Sequence, residues 1–427
     1  MPMLSSLSPA LLLSLGFAVL LCLGLLTQLW LASRQIRHVA RHRQQVPAPF
    51  GEQVSIEEHR KAADYTLAKA RLALIELSWG AAVLLGWTLL GGLDLLNQVL
   101  YRALGPGLPQ QLALLTGFAL VGGLLDLPFA WYRTFRLEAR FGFNRSTLRL
   151  WLLDGLKGLL LGALLGLPLA ALLLWLMAST GPHWWLWAWG TWMAFNLLLM
   201  VLFPTVIAPL FNKFEPLQDA VQRTRIESLL QRCGFAAKGV FVMDGSKRSA
   251  HANAYFTGFG PAKRVVFFDT LLQQLTPAEI DAVLAHELGH FKHRHILQRM
   301  LALFGFSLFG FALLGWLSGQ VWFYTGLGVT PLLDGPNDAL ALLLFALAVP
   351  QVTFFTTPLF SLLSRRHEFQ ADAFAAQHAS GGDLANALLK LTRDNAATLT
   401  PDPLYVRFYY SHPPTTERLS HLAALNP

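Results

Sequence analysis

Cysteine and charge are what this chain is short of. Cys22 and Cys233 are its only cysteines, one in an apolar run and the other far along the chain, so neither a disulfide framework nor a thiolate metal site is expected. Charged residues make up 14% of the 427 positions, while 54% are hydrophobic. A balance that apolar excludes an ordinary soluble domain and points to a protein that crosses the bilayer many times. The net charge of +8 raises the question of nucleic acid, but the basic residues follow the connections between apolar runs. They report membrane topology, and no nucleic-acid partner is expected. Nothing basic precedes the first apolar run, which is longer than the core of a signal peptide, so it reads as a span.

Seven segments are long and apolar enough to cross a bilayer, near 9–32, 74–98, 111–131, 156–178, 184–206, 300–322 and 339–363. Between the first two lie eight basic residues (Arg34, Arg37, Arg41, Arg43, Arg60, Lys61, Lys69, Arg71), and residues 132–157 carry six more. The alternate connections are almost bare: Arg102 in one, and no Lys or Arg in 179–184 or 323–338. By the positive-inside rule the N-terminus lies outside, and the basic loops and the C-terminus are cytoplasmic, in a bacterial inner membrane or an endoplasmic reticulum membrane. The chain then divides into a five-span region (1–206), a cytoplasmic segment (207–299), a pair of spans (300–363) and a cytoplasmic tail (364–427). Asp126 and Asp154 fall in or beside spans, either as functional carboxylates or as interfacial ones. His183 and the tryptophans that follow it read as an aromatic belt.

Chemistry is concentrated in the segment after the fifth span. Pro204 and Pro209 should break that span and deliver the chain to water. An amphipathic helix over 217–233 should follow, then β-rich runs at 239–243, 252–258 and 264–269 with a turn at Gly260-Pro261. Thr276-Pro277-Ala278-Glu279 is a capping box with proline at the first helical position, and it opens a helix through His286-Glu287-Leu288-Gly289-His290. Histidines at i and i+4 share one helical face and can bind a single metal, with Glu287 beside them as a base. His293 and His295 read as polar residues at the membrane surface, with a spare-ligand role as the alternative.

A catalytic zinc usually takes three protein ligands, so one must come from elsewhere. Arg365-Arg366-His367-Glu368-Phe369-Gln370-Ala371-Asp372 follows the seventh span and returns to the same membrane face. Glu368 and Asp372 share a helix face, so one carboxylate can bind metal while the other holds a ligand histidine by its free nitrogen. Glu368 is the expected ligand and Asp372 the supporting group; His367 competes but points off that face. Arg365, Arg366, Arg407 and Arg418 would suit either a substrate carboxylate or lipid headgroups.

These residues carry a resemblance. Phe-Gly-Phe-Asn (141–144), Pro-Leu-Phe-Asn-Lys-Phe (209–214), Ser249-Ala250-His251-Ala252-Asn253-Ala254-Tyr255, the His286–His290 run, the Arg366–Asp372 run and Ser411-His412-Pro413-Pro414 resemble, in that order, the type I CAAX prenyl protease family of integral-membrane gluzincin metalloproteases. The resemblance implies a mainly α fold: seven membrane helices enclosing a chamber, with a small hairpin-containing zinc protease domain at its cytoplasmic end. It implies one zinc ion on His286, His290 and Glu368, with Glu287 activating water, and it matches Asn253 and His412 to contacts with the scissile carbonyl and its tetrahedral intermediate. Chemistry agrees: His412 can donate to an oxyanion from a loop stiffened by Pro413-Pro414, and Asn253 sits in a strand whose edge could pair with an extended peptide. The expected substrate is a peptide or protein, prenylated at its C-terminus on the family pattern. A quality-control protease for misfolded membrane proteins, or a transporter or channel with a regulatory zinc, are the alternatives.

Overall fold

The computed structural model describes residues 8–235, 239–257, 264–333 and 335–425. Among these, seven helical stretches are long and apolar enough to cross a membrane: Pro9–His42, Ile56–Trp87, Leu108–Glu138, Leu148–Ser179, Gly181–Phe211, His295–Leu317 and Asp338–His378. Their outward faces are apolar: Leu124, Leu164 and Phe309 are 66%, 69% and 71% exposed. So many large apolar side chains on one surface require lipid, not water, as their solvent. The protein is a multi-pass membrane protein.

The helices run in order α1 (Pro9–His42), α2 (Ile56–Trp87), α3 (Gly92–Leu104), α4 (Leu108–Tyr132), α5 (Leu148–Ser179), α6 (Trp184–Leu202) and α7 (Ala208–Phe211). The second span is displaced from its expected place. It begins at Ile56, under a Ser55–Glu58 capping box, and stops at Trp87. The apolar run continues past that point, but Gly91 takes φ 78 and a Cβ on Gly92 would lie 2.5 Å from the Gly86 carbonyl oxygen. Only glycine tolerates that turn, and α3 becomes a separate amphipathic helix. The fifth span also differs. A wide π-helical turn, Phe203–Ile207, absorbs Pro204 and carries the helix on to Phe211. The break comes at Asn212, which is extended. A turn precedes α5: Gly142 takes φ 82, and Thr147 caps α5 by accepting from the Leu150 amide at 3.2 Å.

Beyond the fifth span lies a small mixed sheet in the order β1-β2-β4-β3, formed by β1 (Phe214–Pro216), β2 (Val240–Met243), β3 (Ala254–Thr257) and β4 (Arg264–Phe268). β3 and β4 pair antiparallel as the expected hairpin, β2 pairs parallel to β4, and β1, unanticipated, closes the far side. The expected turn at Gly260-Pro261 and the end of the 252–258 run lie outside the described residues. The remaining helices are α8 (Ala220–Arg232), α9 (Asp269–Gln274), α10 (Pro277–Lys292), α11 (His295–Leu317), α12 (Val321–Gly326), α13 (Asp338–Thr353), α14 (Thr357–His378), α15 (Gly381–Asp394), α16 (Pro403–Tyr409) and α17 (Thr415–Leu425). One apolar core joins the sheet to α8, α10, α15 and α17: Ile226 and Leu229 of α8, Phe267 of β4, Ile280, Leu284 and Leu288 of α10, Ala387 of α15 and Leu422 of α17. A second core, around Phe17, Leu93, Leu174, Leu314, Leu327 and Leu344, holds the membrane helices together.

Asp154 is tied into this frame rather than left free. The Arg248 guanidinium donates to both of its oxygens, at 2.8 and 3.0 Å, and to Asn212 Oδ1 and the Phe211 carbonyl. That clamp links α5, the end of the fifth span and the loop after β2. Asp126 is exposed on α4.

Candidate metal centre

α10 is the helix on which the centre is built. Thr276 caps it, with the Glu279 carboxylate accepting from the Thr276 amide at 2.7 Å, and Lys390 of α15 donates to Glu279 at 2.8 Å. The apolar face of α10 is locked into the core, which fixes the rotation of the helix and therefore the direction of its histidines. Gly289, between them, permits the decisive approach. A Cβ there would lie 2.9 Å from Ala371 Cα and 3.1 Å from Phe374 Cβ, so α14 lies directly against the α10 backbone.

That contact delivers Glu368. His286 Nε2 and His290 Nε2 are 3.3 Å apart, and each lies 3.4 Å from an oxygen of the Glu368 carboxylate. Metal-donor atoms of His286, His290 and Glu368 fall within 4.8 Å of one another. Glu368 is 1% exposed, and its Oε2 makes no hydrogen bond although His286 Nε2 is near, because these lone pairs face a common point. An orphaned buried carboxylate oxygen facing two imidazole nitrogens is a donor set a cation would satisfy. The residues fit a bound metal.

Asp372, fully buried, lies one turn beyond Glu368 and 2.9 Å from His286 Nδ1. Arg418 of α17 was expected at a headgroup or a substrate carboxylate and is instead 7% exposed in this cluster. Its Nε donates to Asp372 Oδ2 at 2.9 Å, while Nη1 lies 3.7 Å from Glu368 Oε2. One buried cation thus partly balances two buried carboxylates. Arg365 is also turned inward, donating to the backbone carbonyls of Val406 and Tyr410 at 3.1 and 2.8 Å, and so splices α14 to α16. Arg366 and Arg407 are exposed.

His412, from the Ser411-His412-Pro413-Pro414 loop, brings Nε2 to 3.4 Å from Glu368 Oε1 and keeps an exposed side chain at the mouth of the cluster. Burial raises the proton affinity of the Glu287 carboxyl above the ordinary 4.5. Asn253 stands apart. It is exposed at the head of β3, its side-chain oxygen accepts from the adjoining Ala254 amide at 2.8 Å, and its backbone carbonyl accepts from the Phe268 amide at 3.0 Å. β3 is an outer strand of the described sheet and runs alongside α10. His367 is turned away from the donors and stacks on His295 at 3.9 Å. His293 is exposed as expected, but His295 is not a surface residue: it is 1% exposed and lies behind His290. A cavity of about 720 Å³ lies along the first half of α6, lined by His183, Trp187 and Trp189, and includes none of the donor residues.

The profile for the CAAX prenyl protease N-terminal region, described as five membrane helices, matches residues 35–213, and that for Peptidase family M48 matches residues 216–426. The chain belongs to the M48 peptidase family. This M48 protease is 36% identical to CAAX prenyl protease 1 homolog of Oryza sativa, over 94% of its own length and 96% of the relative's. It is 31% identical to the Homo sapiens CAAX prenyl protease 1 homolog, over 96% of this chain and 95% of that one. The crystal structure of S. mikatae Ste24p superimposes with a TM-score of 0.87 at 31% identity, covering 96% of this chain and 98% of the other. It is a membrane metalloprotease, and it requires a metal cofactor and a peptide or protein substrate.

Proposed function

We propose that this M48 protease is a one-zinc endopeptidase whose substrates are membrane-associated proteins, with prenylated C-terminal CAAX-type sequences as the preferred class. The observation that carries the reading is the convergence of His286 Nε2, His290 Nε2 and the Glu368 carboxylate from two helices far apart in sequence. These three residues hold the zinc, and Asp372 steadies His286. Bound there, zinc would polarise the scissile carbonyl and acidify the attacking water.

Glu287 takes the proton of that water and passes it to the leaving amine; a raised proton affinity suits a group that acts first as base and then as acid. His412 donates from the mouth of the cluster to the developing oxyanion. The substrate backbone adds as a further strand to β3, where Asn253 meets its carbonyl. Relatives named CAAX prenyl proteases support the substrate class. The alternation of basic and bare loops supports a cytoplasmic catalytic site and C-terminus with the N-terminus outside.

The test is zinc content together with cleavage of a farnesylated CAAX peptide and its unprenylated twin by the purified protein. One zinc per chain and faster cleavage of the farnesylated peptide supports the full reading. Equal cleavage removes the prenyl preference and leaves a broader membrane protease. Zinc without cleavage of any peptide overturns the catalytic roles.

A further inference from the structure

His295 and Gln370 have no part in the reaction outlined above, yet the fold goes out of its way to bring them together behind the metal centre. α10 ends at Lys292, and Arg294 takes φ 56, a left-handed conformation that a residue with a Cβ adopts at a cost of about 1–2 kcal/mol. After that kink His295 opens α11 and packs against His290 of α10, where it is 1% exposed. Its Nδ1 lies 2.9 Å from Nδ1 of His290, and its Nε2 lies 2.8 Å from Oε1 of Gln370 on α14. The ring stacks face to face on His367, with centroids 3.9 Å apart and planes 7° from parallel, which fixes its orientation.

Counting protons along this line leaves one arrangement compatible with metal binding. An amide oxygen can only accept, so the Nε2 of His295 carries hydrogen. A neutral imidazole has a single N–H, so the Nδ1 of His295 is an acceptor. Nδ1 of His290 must then be the donor, and Nε2 of His290 is left with its lone pair. Nε2 is the atom that faces His286 and Glu368. Turning the Gln370 amide over would reverse every donor in the line and place a proton on the nitrogen that faces the metal.

We propose that Gln370 and His295 form a neutral relay that holds the proton of His290 on Nδ1 and so presents Nε2 to the metal; the inference rests on His290 being a ligand. Both are positioning residues, since neither touches metal or substrate. The two histidines are thus steadied by different chemistry. His286 is backed by the ionised Asp372, itself paired with Arg418. His290 is backed by an uncharged ring, which orients it without adding a further buried negative charge beside Glu368.

The test is the zinc affinity of the full-length protein in detergent at pH 8, measured by competition with a chelating indicator, with the visible spectrum of the Co²⁺ form as a second readout. His295→Phe keeps the stack on His367 and removes both ring nitrogens; it is expected to weaken zinc by about 10–100-fold. Gln370→Met removes only the acceptor and shifts affinity in the same direction, and Gln370→Glu, which restores an acceptor, returns it towards the wild-type value. Zinc-free melting temperatures separate loss of ligand positioning from loss of fold, and Gln370, at the exposed end of the line, carries the test if His295→Phe does not fold. Unchanged affinity in Gln370→Met, or a Gln370→Glu variant as weak as Gln370→Met, overturns the relay while leaving the metal site intact. Failure of the wild-type protein to bind zinc overturns the metal reading itself.

Discussion

Glu287, Glu368, Asp372 and Arg418 bring carboxylate and guanidinium groups into the metal centre beside its two histidines, and their effects are separable by substitution. Glu287→Gln keeps the volume and removes the base. Turnover of the farnesylated peptide should fall by about 10²–10⁴-fold while one zinc stays bound; a variant that loses its zinc would mean Glu287 is a structural part of the site. Glu368→Ala removes one of the three converging donors, so dialysis against a mild chelator should strip zinc from this variant and not from the wild type. Arg418 is the less obvious case. It is the buried cation beside Asp372, and Arg418→Met leaves that carboxylate buried beside Glu368 with little to balance it. Breaking a buried pair from one side costs about 3–5 kcal/mol, so a marked fall in melting temperature is expected even in zinc-free protein. A melting temperature equal to that of the wild type would show that Asp372 had found another partner or a proton.

At the scale of elements, the contact between α10 and α14 decides whether there is a site at all. The two helices supply the three donors, and only the absence of a side chain at Gly289 lets their backbones come this close. Gly289→Ala places a methyl 2.9 Å from Ala371 Cα, a backbone atom that cannot swing aside. Overpacking of this kind costs about 1–3 kcal/mol, and here it also moves Glu368 away from the histidines. The variant should lose stability and bind zinc more weakly, against the usual gain in helix propensity from glycine to alanine. Wild-type zinc affinity in Gly289→Ala would show that α14 has slack the packing does not reveal. The outer strand β3 belongs to this scale too. Among the described residues it is an outer strand packed beside the metal helix, and the proposed mode of substrate binding adds an extended peptide to it.

For the whole molecule, the membrane defines both shape and sidedness. With seven spans crossed in turn the two termini would lie on opposite faces, and the basic loops favour the proposed orientation with the C-terminus in the cytoplasm. Both native cysteines can be replaced without touching the metal centre, since Cys22 is on α1 and Cys233 follows α8. In such a background Gln53→Cys, in the exposed loop before α2, should react with a membrane-impermeant thiol reagent only after the membrane is opened. Thr330→Cys, in the bare loop before α13, should react from outside in intact cells. The opposite pattern would invert the topology and put the metal centre outside.

The number of spans and the two halves of the zinc motif were legible in the sequence because each depends on local information. A run of about twenty apolar residues or an i, i+4 pair of histidines needs no knowledge of the rest of the chain. Glu368 and Asp372 were within reach for the same reason, since a carboxylate pair on one helix face returning to the right side of the membrane is still a local pattern with a topological constraint. Arg418, His295 and Gln370 were not. Their roles are made by contacts across 46, 5 and 75 positions, to Asp372, His290 and His295 respectively, and nothing in their immediate neighbours distinguishes them from surface residues. The end of α2 was missed because hydropathy continues through Leu89 and Leu90, while the turn is set by backbone freedom at Gly91 and Gly92. Composition and periodicity by themselves determined that the chain crosses a membrane and carries two histidines and a glutamate able to serve a metal. Only the tertiary structure decided which distant side chains complete and steady that centre, because buried charge and proton direction are balanced by whatever packing brings within about 3 Å.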